Sequence, residues 1–175
     1  IEQNSGKIDA AIARNKHNRL RMKVAPSGRS ALSLWRVRQR FDKFTLLDVE
    51  IKTGRTHQIR VHLASINHPV VGDEIYNEGR DNTISDITVR NAVVTMRRFF
   101  LHAERLAFTH PKTGERLEYT QSLPAELTDF LKLFSRERRR PRLQTPGSSG
   151  VKEQAKIQLL QLSTVAGEGA CVPAK

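Results

Sequence analysis

A single cysteine, Cys171, stands in the whole chain. One thiol cannot build an internal disulfide framework, and it cannot supply a cysteine-based zinc site. Long apolar runs are missing as well. None approaches the length of a membrane span, so a soluble protein is expected. No secretory signal pattern opens the chain, and no internal repeat is found. A reducing, cytoplasmic setting is the expectation that fits these absences. The first residue is Ile1 rather than Met, which reads as a start inside a longer gene product. Acidic residues are also scarce. Across 175 residues, 18 Asp and Glu face 30 Lys and Arg, giving a formal net charge of +12 and an isoelectric point near 10.5. That imbalance favours a polyanionic partner, nucleic acid ahead of membrane. The length suits one domain with a core, with or without a tail.

The basic charge concentrates early. Residues 1–43 hold eleven Lys or Arg against three acids. Residues 7–12 read as a short extended piece. The stretch 14–23, rich in Arg, Lys, His and Asn, reads as a loop or edge hairpin, either protected by its charge or tracking phosphates. Ala31, Ser33, Trp35 and Val37 alternate with Leu32, Leu34, Arg36 and Arg38, so this is a strand with Trp35 on its core face. A turn at Asp42 and Lys43 leads into the returning strand 44–51 of an antiparallel hairpin.

Residues 52–63, KTGRTHQIRVHL, follow directly and carry the densest chemistry. Thr53 and Gly54 break the strand, and Thr56 is the expected helix cap. Ile59, Leu63 and Ile66 then form a buried stripe at helical spacing. Arg60 lies one turn beyond Thr56. Arg55 sits in the turn, where free N–H groups and the positive helix end favour an anion. Two readings stand for this stretch: a solvated basic face, or a fixed guanidinium aimed at a carboxylate or phosphate.

The helix is expected to end at Asn67-His68-Pro69. Asp73 invites a catalytic reading beside that of a turn or cap carboxylate, and 77–86 reads as a polar loop. The β-branched run 87–94 is of undecided type. Leu106 and Phe108 face Leu117 and Tyr119 across a Pro-Lys-Thr-Gly turn, giving a second hairpin. Residues 124–134 read as a closing helix with Leu127, Phe130, Leu131 and Phe134 on one face. A dense arginine run, 136–142, and a linker rich in Pro, Gly and Ser follow. Residues 152–162 suggest a short amphipathic helix that needs a partner surface, and 165–175 suggest disorder. The division expected is 1–134 as a folded portion and 135–175 as a basic, linker-like tail.

The order TGRTHQIRVHLASINHPVVGDEIY resembles the signature of the RluA-type pseudouridine synthases. Gly28-Arg29-Ser30-Ala31, Phe100-Leu101-His102-Ala103 and His110-Pro111-Lys112-Thr113-Gly114-Glu115 agree with it and come in the family's order. The resemblance covers roughly residues 6–134. It implies an α+β fold: a mixed, mainly antiparallel β-sheet with a few helices and an RNA-binding cleft. It implies isomerisation of uridine to pseudouridine in structured RNA, ribosomal or transfer, with no metal and no organic cofactor. Arg60 matches the family arginine that pairs with a catalytic aspartate, a role suited to a permanently charged, bidentate donor. Leu101 matches an apolar residue packed against the flipped uridine. Arg55, Thr56, His57 and Gln58 would brace the site or touch the RNA, with Tyr76 and His102 beside them. The reaction is credited to the aspartate rather than to His102.

The family's His-Arg-Leu-Asp block, which carries that aspartate, has no counterpart in this sequence, and neither does its uracil-stacking tyrosine segment. The resemblance therefore implies the C-terminal part of a catalytic domain, whose partner is the N-terminal half of the same protein. Strands deprived of that half would expose edges and favour self-association. A non-catalytic RNA-binding module for RNA folding or ribosome assembly is the alternative. A protein-recruiting C-terminal segment is a third.

Overall fold

The computed structural model describes residues 1–41, 43–137 and 157–165; for 135–137 and 157–165 it describes the backbone alone. Strand β5 (Phe44–Ile51) is its centre. Phe44, Leu46, Leu47 and Val49 are all buried, so both faces of this strand are covered. Phe44 and Leu46 belong to one apolar cluster, Leu47 and Val49 to another. A strand buried on both sides belongs in the interior of a layered fold, with helices on each face.

The sheet has six strands in the order β1-β4-β5-β8-β6-β7. Strand β4 (Leu32–Arg40) runs antiparallel to both β1 (Ser5–Asp9) and β5, with Trp35 opposite Val49. Strands β6 (Leu101–Thr109) and β7 (Arg116–Thr120) form the second hairpin. Strand β8 (Ile157–Val165) lies between β5 and β6 and is parallel to both. The mixed, mainly antiparallel α+β architecture is thus as expected, and Trp35 is 7% exposed, inside the core. A separate ribbon, β2 (Ile12–Arg14) with β3 (Met22–Val24), is the basic hairpin.

On one face of the sheet, helix α1 (Gln58–Ser65) packs Ile59 and Leu63 against Ile8, Trp35, Leu47 and Val49. On the other, α2 (Ile87–Met96) and α3 (Ala125–Glu137) pack against Phe44 and Leu46. The rings of Phe44, Phe130 and Phe134 lie 4.9–6.5 Å apart, tilted or edge-on, the geometry that aromatic quadrupoles prefer.

Two sequence expectations resolve here and two need correcting. The β-branched run 87–94 is helical because Asp86 caps it, accepting from the amides of Thr88 and Val89, and because Val89 and Val93 bury one face. The closing helix forms as expected, directly after Pro124. Thr56, by contrast, does not cap α1. The cap position is His57, in a left-handed conformation with φ 55° and no side-chain cap bond. The helix expected within 152–162 is also replaced: 157–165 is β8, because two sheet edges supply the backbone partners that a short isolated helix lacks. The remainder of the tail lies outside the described residues.

Both interior bulges of the sheet are used. The register of β4 skips at Arg38 and that of β6 at Glu104. Although β5 and β8 lie between them, these two side chains meet in a bidentate pair, with Nη2 to Oε2 at 2.8 Å. Arg38 also forms an ion pair with Asp48, with Nε 2.7 Å from Oδ1. The extra residue of each bulge is re-aimed to tie the two halves of the sheet together.

Gly28 sits where the turn after β3 touches β2. A Cβ there would lie 2.4 Å from the carbonyl carbon of Ile12, whereas a Cβ at Gly54 would meet nothing within 4 Å. Gly28→Ala is expected to cost about 2 kcal/mol, as overpacking against backbone does. Gly54→Ala should stay within about 0.5 kcal/mol of the parent. Urea denaturation of the two variants checks the contrast, and equal midpoints would refute it.

Candidate active site and nucleic-acid interface

The turn 52–57 and helix α1 position the site from both sides. Gln58, 3% exposed, is its brace. Its Nε2 donates to the Leu32 carbonyl at 3.0 Å and to Ser33 Oγ at 3.1 Å. Its Oε1 accepts from Thr53 Oγ1 at 2.8 Å and from the Arg55 amide at 3.0 Å. One side chain therefore joins β4 to the turn and satisfies an amide just before the helix. That is the task assigned to Thr56 from sequence; Thr56 itself is exposed.

Arg60 follows on the same helix and is 8% exposed. It donates from Nε to Oδ2 and from Nη2 to Oδ1 of the fully buried Asp73, both at 2.7 Å. The guanidinium carbon lies 4.9 Å from the Tyr76 ring centre and 4.5 Å from that of Phe99. An arginine so stacked and paired is fixed in direction as well as charge. Asp73 does act as a turn carboxylate: its Oδ1 also accepts the amides of Ile75 and Tyr76. The carboxylate that this chain offers Arg60 is therefore a structural one.

Tyr76 connects the pair to the surface. Its hydroxyl accepts from the Met22 amide at 2.8 Å, which leaves its own proton for Nδ1 of His57 at 2.9 Å. Neutral His57 then carries its proton on Nε2. Burial, then the charge of Arg60, holds His57 below the usual histidine pKa, in keeping with the neutral form. Burial raises the Tyr76 phenol. Arg21 lies over the outer part of this group, 5.5 Å from the Tyr76 ring centre, and pairs with Glu78.

The structure thus brings His57, Gln58, Arg60 and Tyr76 together, with Arg55 at the rim donating from Nε to the Ser30 carbonyl. His102 is buried elsewhere, on β6, where Nε2 donates to the carbonyl of Gln121 at 2.8 Å. Leu101 packs beside the cluster that holds Ile59, Leu63 and Val70, as Phe99 does. Two residues of this region escaped the sequence reading. Phe99 forms one face of the arginine stack, and no local pattern marks it. His62 is fully buried at the centre of α1. Ser33, which accepts from Gln58, passes its own proton to His62 Nδ1 at 2.9 Å, while Nε2 donates to the Ala10 carbonyl at 2.8 Å. Its spacing on the apolar side of the helix was the available signal. Among the described residues, no group of three or more His, Cys, Asp or Glu could hold a metal, and no helix is long and apolar enough to cross a membrane.

Two predictions follow from this geometry. Asp73→Ala leaves a buried guanidinium without its carboxylate, and should destabilise the fold by about 3–5 kcal/mol; an unchanged denaturation midpoint would refute the dependence. Burial also lowers the pKa of His62 below its ordinary 6.5, outweighing the bond to the Ala10 carbonyl and the charge of Asp9, which favour the charged ring. The unfolded chain then binds the extra proton first as the solution is acidified. Stability is full above the ordinary histidine value and falls as the pH drops through it toward the folded value. His62→Gln should flatten that part of the curve of urea midpoint against pH.

Comparison with known proteins finds relatives of the chain. A family model described as RNA pseudouridylate synthase matches residues 1–65. An uncharacterized RNA pseudouridine synthase of Chloroflexus aurantiacus is 41% identical over 128 residues, 73% of this chain and 37% of the relative. Proteins named ribosomal large subunit pseudouridine synthase D are similar too. That of Nitrosomonas europaea is 43% identical over 129 residues, covering 74% of this chain and 36% of the relative. That of Pseudomonas aeruginosa is 40% identical over 136 residues, covering 76% and 42%. The chain spans only about two fifths of the length of these relatives. At this identity over about three quarters of its length, the chain belongs to the RNA pseudouridine synthase family.

Proposed function

We propose that this chain is the RNA-binding, arginine-bearing part of a synthase that isomerises uridine to pseudouridine in structured RNA, with ribosomal RNA as the substrate class. The observation that carries this reading is Arg60, stacked between Tyr76 and Phe99 and locked by Asp73. A guanidinium held that way can orient a second carboxylate with little reorganisation. The names of the relatives support ribosomal RNA. Binding would come from the basic first section. Between Asp9 and Asp42 the sequence contains no acidic residue but nine Lys and Arg.

The reaction needs a carboxylate that can reach the ribose, and Asp73 has none of its surface exposed. On this reading the chain by itself supplies the binding half of the chemistry. This favours, for the isolated chain, the second reading of a non-catalytic RNA module.

Filter binding to ribosomal RNA across a salt series tests the first part. Affinity should fall steeply and linearly on a logarithmic plot as phosphate contacts release counterions. A salt-independent affinity, or none, would remove the RNA reading. Tritium release from RNA labelled at uridine carbon 5 tests the second part. The isolated chain should release none, and turnover would overturn the assignment of Asp73 as structural.

A further inference from the structure

The tip of the β2–β3 hairpin carries an apolar side chain that the fold does not use. Leu20 is 74% exposed. A lone surface leucine ordinarily needs no explanation, but this one is held in place and surrounded by cations. The Asn18 side chain accepts the Leu20 amide at 3.0 Å, and the Arg21 amide closes a turn onto the Asn18 carbonyl at 3.0 Å. Asn15 accepts the amides of His17 and Asn18, and Arg14 donates to the Arg19 carbonyl at 3.1 Å. Leu20 therefore projects from an ordered turn. Arg14, Lys16, Arg19, Arg21 and Lys23 flank it, inside the acid-free section 10–41.

The hairpin is also fixed relative to the site. Two residues after Leu20, the Met22 amide bonds to the Tyr76 hydroxyl, and the ring of Tyr76 stacks on Arg60. An apolar tip between phosphate-binding cations has the chemistry of a wedge that enters a base step, while the cations hold the strands on either side. We propose that Leu20 is such a wedge. It inserts into structured RNA beside the Arg60 site, unstacks a base step there, and so lowers the cost of presenting a nucleotide to the site. This inference rests on the RNA-binding reading above and adds a specific residue and action to it.

The test uses the full 175-residue chain and a synthetic RNA stem-loop with 2-aminopurine in the stem, whose fluorescence rises when the base unstacks. The parent chain should bind and raise the fluorescence. Leu20→Ala should bind with the same salt dependence and lose the rise, and Leu20→Met should keep it. Lys16→Ala with Arg19→Ala should weaken binding and reduce the salt dependence. A Leu20→Ala chain that still raises the fluorescence fully would overturn the wedge while leaving RNA binding intact. So would a parent chain that binds without any rise. A lowered denaturation midpoint in Leu20→Ala, or an altered oligomeric state by sedimentation, would also overturn it, by assigning Leu20 to folding or to a protein contact. Failure of the parent chain to bind the stem-loop at any salt concentration would instead bring down the RNA reading itself, and the wedge with it.

Discussion

The buried pair between Arg60 and Asp73 is the interaction on which the rest of this structure leans. Removing two charges from water is costly, and only close geometry with further hydrogen bonds offsets it. Here Asp73 receives two guanidinium N–H groups and two backbone amides, and Arg60 has an aromatic ring on each side. The consequences spread outward through single contacts. Asp73 sets the turn that positions Tyr76. Tyr76 fixes the return strand of the basic hairpin through Met22 and the side chain of His57 at the start of α1. A surface hairpin is thus placed relative to a buried charge through a phenol hydroxyl, with the Arg21–Glu78 pair and the packing of Ile12 and Met22 near Tyr76 beside it.

The same network accounts for the strain at His57. A β-carbon at φ 55° is unfavourable, and such positions persist where surrounding contacts over-determine them. Tyr76 holds the His57 ring from one side. Gln58, tied to Leu32, Ser33, Thr53 and Arg55, holds the backbone from the other. The turn therefore enters the helix rigidly without a conventional side-chain cap.

What could be read from the chain and what could not divide along physical lines. Alternation over Ala31 to Val37 was enough to bury Trp35, and helical spacing after Pro124 was enough to bury Leu127, Phe130 and Phe134, because these signals are local and periodic. Thr56 was the better cap by residue type, yet Gln58 took over by reaching back across the turn, a contact that depends on where β4 lies. The run 87–94 gave conflicting cues because β-branched propensity is a weak preference. The Asp86 cap and the burial of Val89 and Val93 outweigh it. Strand β8 was invisible because its partners, β5 and β6, are distant in sequence and come together only in the finished sheet. Phe99 escaped for the same reason: its role is defined by a guanidinium contributed from another element.

Charge is divided between two tasks in this molecule, and the division follows from burial. Arg60 is neutralised by Asp73 and almost out of reach of solvent, so it adds little to long-range attraction of a polyanion. The hairpin cations have the opposite character. Of those flanking Leu20, Arg21 alone has a carboxylate partner among the described residues, and that partner, Glu78, is itself largely exposed. Exposed cations act at a distance and are screened by salt, whereas a buried, stacked guanidinium acts over one hydrogen bond and is nearly indifferent to salt. On the proposed reading, affinity for RNA and orientation of a reacting group would reside on different residues. Changes in the hairpin should alter how RNA is held without altering the geometry at Arg60. Changes at Phe99 should act on the guanidinium instead, whereas changes at Asp73 should reach the hairpin as well, through Tyr76 and the Met22 amide.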